Sequence, residues 1–196
     1  MESYRLEGQT FVIDDYDRKP AFSSFLPGLA GVKGIPLWTF YTNRGQGMNS
    51  FGIDNKGNAI MEFNSANTAF ENTQVKGFRT FLKIDGEYYE PFFTYEKEAK
   101  RQMRMNKNSF KIIETNEKYG IEVTVNYYVL PNESIGALVR RVSVKNIGDS
   151  AKEVQVIDGL PKIITYGIAN GEFKEMSNLF KSWADIRNLE NKVPYY

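Results

Sequence analysis

The sequence predicts a mainly β protein, an antiparallel β-sandwich with one amphipathic helix near the C-terminus. Within the stretch from Gly120 to Pro161, Ile121, Val123, Val125, Tyr127 and Val129 fall on one face and Glu122, Thr124 and Asn126 on the other. That period of two, in β-branched and aromatic residues, is the pattern of a half-buried strand. Polar turns rich in Gly, Asn, Asp and Pro divide much of the chain into strand-length pieces. One stretch, from about Gly171 to Leu189, keeps helical spacing instead, with Phe173, Met176, Phe180, Trp183 and Ile186 in an apolar stripe.

Taken in order, Tyr4 to Leu6 and Thr10 to Asp14 read as an opening strand pair turning at Glu7-Gly8. Asp14-Asp15-Tyr16-Asp17 brings carboxylates together, but their spacing is not that of a calcium loop, so a strand-end turn is the better reading. Pro20 to Pro36, with Gly28, Gly31 and Gly34, reads as loop. It leads into the strand Leu37 to Tyr41 rather than a helix N-terminus, which sets aside a phosphate cradle. Leu37 to Phe63 reads as three strands, with turns at Asn43 to Gly47 and Asp54 to Asn58. Asn64 to Asn72 is polar and ambiguous.

Gly77 to Ile84 and Glu87 to Phe93 form a hairpin around Asp85-Gly86, the strongest short turn signal in the chain. The cluster Tyr88, Tyr89, Phe92, Phe93 and Tyr95 reads either as a stacking platform or, more often for such clusters, as core and edge packing. The basic run Lys100 to Lys107 reads as an edge strand protected by charge, since the overall charge balance disfavours a nucleic-acid strip. From Ile135 to Lys145 the apolar face switches at Arg140-Arg141, which predicts a β-bulge or a strand covered on both sides. After a turn at Asn146 to Ser150, Glu153 to Asp158 is read as the third strand of a meander. Trp183, on the helix stripe, is read as packing against the sheet.

Composition excludes more than any motif supplies. The chain has 196 residues, 25 Lys and Arg against 24 Asp and Glu, and neither His nor Cys. Its length fits one large domain or two small ones, a single sandwich of this size being ordinary, and its near-neutral, interspersed charge argues against a nucleic-acid or anionic-membrane surface. Without His and Cys there is no Ser-His-Asp or Cys-His catalysis and no structural zinc. No apolar run approaches a membrane span and the start lacks a secretory pattern, so cytoplasmic is the expected location. The residues with the best prospect of touching a ligand are Asn43, Arg44 and Gln46, with Asn49 nearby. Their side chains suit sugar hydroxyls if the turn faces a cleft, and a solvated hairpin tip otherwise.

Four segments carry a resemblance: FVIDDYDRKPAFSSFLPG from Phe11, FYTNRGQGMNSFGIDNKGNAIMEF from Phe40, VTVNYYVLPNESIGALVRRVSVKN from Val123 and VIDGLPKIITYG from Val156. They resemble the N-terminal part of inverting glycoside phosphorylases of the cellobiose-phosphorylase family, most of all the β-1,2-oligoglucan (sophorooligosaccharide) phosphorylases. The resemblance implies a single N-terminal sandwich, of the mutarotase-like supersandwich type, over residues 1–196, truncated before the helical linker and the (α/α)6 barrel. The catalytic Asp and the phosphate-binding residues lie in that barrel, so no catalytic residue and no metal ligand is carried over.

What the resemblance implies about activity belongs to the parent enzyme. A carboxylic acid protonates the leaving glycosidic oxygen, and inorganic phosphate, the co-substrate, takes the place of water to give α-glucose 1-phosphate. No cofactor is implied. The implied partners are a β-linked gluco-oligosaccharide, the parent's own barrel and a second subunit in a homodimer, with loops of this domain shaping the substrate site. The Thr42 to Gly47 loop is the candidate for that role. A stand-alone carbohydrate-binding module using Tyr88 to Tyr95 is the alternative. A mutarotase-like enzyme is a third reading, disfavoured by the lack of histidine.

Overall fold

The computed structural model describes residues 3–53, 57, 64–93, 98–161, 163, 168–183, 185–193 and 195. It is mainly β, with antiparallel sheets in the arrangement of a sandwich, as the alternation predicts. The strands are β1 (Tyr4–Glu7), β2 (Thr10–Asp14), β3 (Ser23–Ala30), β4 (Ile35–Thr42), β5 (Met48–Ile53), β6 (Arg79–Ile84) and β7 (Glu87–Tyr89). They continue with β8 (Lys100–Met105), β9 (Ser109–Asn116), β10 (Ile121–Val129), β11 (Leu138–Asn146) and β12 (Val154–Gly159). One sheet has the order β1-β2-β8-β9-β10-β11, and two three-stranded sheets run β12-β6-β7 and β3-β4-β5. The inner face of the large sheet meets both small sheets in one core, in which Ile13, Met103, Phe110, Ile112, Val123, Val125 and Tyr127 join Leu26, Tyr41, Leu82, Ile84 and Tyr89.

Alternation reads most directly in β9 and in β10 as far as Tyr127, where every second residue is buried and its neighbours are half-exposed. The Asp85-Gly86 turn also forms as predicted, with φ of 49° and 94° at its two residues, the left-handed pair that a tight hairpin requires. The opening pair β1-β2 closes at Gly8 in register from Tyr4↔Ile13 to Glu7↔Thr10.

Elsewhere local reading and structure part. Pro20 to Pro36 is not wholly loop, because β3 occupies eight of its residues, paired to β4 alone. Pro27 is tolerated because an edge strand has one side without a ladder to complete. Gly28 is required by packing, since a Cβ there would lie 2.6 Å from Val129 Cγ1 on β10. The basic strand β8 is not an edge. It lies between β2 and β9, with Met103 fully buried, because its cation Arg101 finds acidic partners in the core.

No bulge forms at Arg140-Arg141, and β10 and β11 pair without interruption from Val129↔Leu138 to Ile121↔Asn146. The apparent change of face arises because Ile135 and Ala137 precede the strand, and because Arg140 occupies an inner position that the pattern assigned to an apolar residue. The third strand of the meander is misplaced too. After Asn146 to Ser150 the chain crosses to the second layer, where β12 pairs with β6. Asp85 fastens that crossing, its amide donating to the Glu153 carbonyl at 3.0 Å and its Oδ1 accepting from the Glu153 amide at 2.9 Å.

The ambiguous segment is a helix, α1 (Ala66–Lys76), which packs on β4 and β5 through buried Ala69 and Thr73 and ends at Gly77. The predicted C-terminal helix is broken into α2 (Asn170–Glu175) and α3 (Ser177–Trp183). Met176, at φ −107° and ψ 16°, leaves helical geometry just before the weak helix formers Ser177-Asn178. Phe173 is buried, whereas Trp183 is 63% exposed and meets Phe180 edge-on rather than a sheet. The predicted turn at Asp54 to Asn58, the strand to Phe63 and Tyr95 lie outside the described residues, apart from Gly57. Among the described residues no helix is long and apolar enough to cross a membrane.

The core carries one ionic knot. Arg101 donates to Glu114 at 2.6 Å, to Asp17 at 2.6 Å and to the Phe93 carbonyl at 2.7 Å. Glu114 also accepts from the Phe92 amide at 2.7 Å and from the Tyr89 hydroxyl. Burial raises the Glu114 carboxyl above its ordinary value against the pull of Arg101. Burial alone would lower the Arg101 guanidinium, but Glu114, Tyr16 and Asp17 together raise it.

A buried pair broken on one side leaves an uncompensated charge, so Arg101→Met will destabilise the fold by about 3–5 kcal/mol in urea unfolding. Adding Glu114→Leu will restore part of that loss. A double variant less stable than Arg101→Met alone would show that Glu114 is held by something other than Arg101.

Candidate functional site

The turn Thr42 to Gly47 joins β4 to β5 and is sharply bent, with positive φ at Gly45 (56°) and Gly47 (77°). Gly47 has a second constraint, because a Cβ there would come within 2.7 Å of Phe110 Cζ in the core. The Thr42 amide donates to the Gly47 carbonyl at 2.5 Å and the Gly47 amide to the Arg44 carbonyl at 2.9 Å. The turn folds down onto the sandwich, not out into solvent.

The structure therefore separates the three predicted ligand-binding residues. Asn43 is fully buried, and its amide nitrogen donates to the carbonyls of Tyr16 (2.9 Å), Lys19 (3.2 Å) and Pro20 (3.1 Å). Its Oδ1 accepts from the Phe22 amide at 3.0 Å. With its polar atoms engaged in this way, Asn43 fastens the strand-end turn to the segment before β3. Gln46 is also buried. Its Nε2 donates to Thr80 Oγ1 at 2.9 Å and its Oε1 accepts from Arg140.

Gln46 belongs to a polar network between the layers that the sequence did not disclose. Arg140 donates to the Tyr127 hydroxyl at 3.0 Å, to Thr80 Oγ1 at 3.1 Å and to Asp158, while Thr80 donates to Asp158 at 2.6 Å. The Arg140 guanidinium also lies 4.9 Å from the centre of the Phe78 ring. The only sequence signal for this network was the interruption of the apolar pattern at Arg140.

Of the three, Arg44 alone keeps part of its surface exposed. It is half-buried, and its guanidinium lies 4.6 Å from the centre of the Phe70 ring on α1, a cation–π stack. One of its nitrogens donates to the Asn43 carbonyl at 2.8 Å and another to the Lys19 carbonyl at 3.5 Å. Burial lowers the guanidinium from its ordinary value, opposed by Asp17 and Tyr16.

Beside this stack lies an open groove of about 240 Å³, lined by Ala21, Phe22, Ser23, Ala66, Asn67, Phe70 and Glu71. Its rings offer a stacking surface, and Ser23, Asn67 and Glu71 offer hydroxyl, amide and carboxylate partners, a combination suited to a polyhydroxylated ring. The volume falls below the roughly 300–1,000 Å³ of drug-sized pockets, so it admits one ring rather than an oligomer. The residues of α1 were missed because a helix burying only Ala69 and Thr73 leaves almost no periodic trace.

Among its described residues the aromatic cluster serves as core and edge packing, the commoner of the two readings. Tyr89 and Phe92 are core residues, and of the pair on β7 only Tyr88 is exposed, with Lys83 Nζ 5.5 Å from its ring centre. The carboxylates of the Asp14 to Asp17 turn are drawn into pairs, Asp14 with Arg5 and Gln102 and Asp17 with Arg101. Among the described residues no acidic cluster suited to a metal ion occurs.

Asn43 and Arg44 should respond differently to truncation. Asn43→Ala removes the side-chain acceptor of the Phe22 amide and the amide donor to the Tyr16, Lys19 and Pro20 carbonyls, and will cost about 3 kcal/mol in urea unfolding. Arg44→Ala, at a half-exposed stack, will cost about 1 kcal/mol or less. Equal losses would contradict this assignment of a structural and an available residue.

Compared with known proteins, the sequence matches no family model, and no curated protein matches it significantly.

Proposed function

We propose that the chain is the non-catalytic N-terminal sandwich domain of an inverting β-glucan or β-glucoside phosphorylase, located in the cytoplasm. In this reading it supports the catalytic barrel and lends the Thr42 to Gly47 loop to substrate binding. The parent enzyme converts β-glucosides and inorganic phosphate into α-glucose 1-phosphate.

The observation that carries the reading is the contrast within that loop. Asn43 and Gln46 lock it to the sandwich from beneath, and Arg44 stacks on Phe70, one of the residues that line the groove. A preorganised arginine on a rigid turn suits an auxiliary contact to a sugar that other groups process. The four resembling segments supply the family, and Arg44 takes the substrate-contact role. The stand-alone binding module is disfavoured by the burial of Tyr89 and Phe92, two of the aromatics it required.

Calorimetric titration of the chain with sophorose, cellobiose and longer β-glucans, with and without phosphate, is expected to give no saturable heat. Saturable binding by the chain alone would instead favour a carbohydrate-binding module. In the parent enzyme, Arg44→Ala is expected to raise KM for the glucan about tenfold, a loss of about 1.4 kcal/mol, with kcat little changed. An unchanged KM would remove Arg44 from the substrate site.

A further inference from the structure

We propose that the outer face of the six-stranded sheet carries a binding site for one phosphate group, formed by Lys111, Asn126 and Arg141. The inference stands on the sheet's register alone and does not depend on the phosphorylase reading.

Strand alternation places the three residues together. Phe110 and Ile112 are buried beneath Lys111, as are Val125 and Tyr127 beneath Asn126, and Arg140 turns inward beside Arg141. Asn126 is the cross-strand partner of Lys111 on one side and of Arg141 on the other. With neighbouring strands about 4.8 Å apart, the two cations start about 10 Å from each other, within reach of one ligand between them. Among the described residues no side-chain hydrogen bond or ion pair engages Lys111, Asn126 or Arg141; the Asn126 Oδ1 is buried, so its amide nitrogen is the atom left to donate to a ligand.

The surroundings of this row are cationic. Lys111 lies directly across from a further cation, Arg104, and like charges so placed repel. Arg104 is neutralised by Glu7 and bonded to Gln102 at 2.8 Å, but nothing equivalent serves Lys111 or Arg141. The flanking rows across β9, β10 and β11 contain Thr124 paired with Ser143, and Tyr128, and no carboxylate. Further along the same face, by contrast, Lys145 sits opposite Glu122.

Charge selects the ligand. Two unpaired cations match the charge of about −1.5 to −2 on a phosphate group at neutral pH, where a carboxylate would neutralise only one. An arginine fork, an ammonium and a side-chain amide can together supply donors for its terminal oxygens. A long polyanion would need a stripe of cations, whereas this row offers two. The neighbouring hydroxyls of Thr124, Ser143 and Tyr128 can serve either free phosphate or the sugar of a sugar phosphate.

The test is titration of the isotopically labelled whole chain at pH 7 and low salt with inorganic phosphate, glucose 1-phosphate and a short single-stranded RNA, followed by NMR. Saturable shifts of the Asn126 side-chain amide and the Arg141 backbone amide are expected with phosphate. A stronger response to glucose 1-phosphate would identify the phosphate as carried on a sugar, and an equal one as free. Lys111→Gln with Arg141→Gln is expected to weaken binding at least tenfold, while Lys145→Gln leaves it unchanged. The site is overturned if neither phosphate shifts these signals, if binding survives the double substitution, or if RNA alone binds. The wild-type shifts decide the matter even if a variant fails to fold. Because glucans are absent from the titration, failure here would leave the sandwich-domain reading untouched.

Discussion

The fold depends on keeping one arginine in the core. Arg101 carries its charge into the interior and binds three separate pieces of chain there: Asp17 in the turn after β2, Glu114 on β9 and the Phe93 carbonyl beyond β7. Glu114 extends the reach, holding the Tyr89 hydroxyl and the Phe92 amide, so that the second layer is tied to the first. A salt bridge of this kind is poor evidence of net stability, since desolvation consumes most of the attraction. Its effect is positional. Few arrangements satisfy so many partners at once, and those few place the turn, the loop and the sheet in fixed relation.

That constraint propagates to the candidate site through bonded neighbours. Asp17 adjoins Tyr16, whose hydroxyl reaches the Gly45 carbonyl at 3.3 Å and whose own carbonyl accepts from Asn43. Arg44 thus stands on a loop braced from two directions. A second polar knot, around Arg140, Asp158 and Thr80, braces the same loop through Gln46. Three of the residues that look most like surface chemistry in the sequence, Asn43, Gln46 and Arg140, are interior struts.

Strands and hairpins were legible where a single local rule governed them. β10 shows alternation and the Asp85-Gly86 turn shows its own chemistry, and both are as read. What was illegible depended on partners distant in sequence. Nothing near Lys100 says that its strand will sit beside β2, and nothing near Pro27 says that β3 will be an edge. Charged residues misled for the same reason, because a buried Arg101 and an exposed Arg141 look alike until their neighbours are known. The site suffered most, since its groove is formed by α1 and the segment before β3, the two stretches with the weakest pattern.

The large sheet is interrupted in sequence: β2 pairs with β8, Asp14 opposite Gln102, and the described strands between them, β3 to β7, belong to the two smaller sheets. On a ribosome that spacing becomes a delay. At about 5–20 residues per second, β8 follows β2 by roughly 4–18 s, and until then the opening hairpin has no sheet to join. During that interval Phe11 and Ile13 are without their partners Met105 and Met103, and Asp17 is without its arginine. The nascent chain therefore passes through a period in which its first hairpin is shielded mainly by its own polar residues, Arg5, Glu7 and Asp14 among them. The charges that frame β1 and β2 protect the chain before they help to hold the finished sheet.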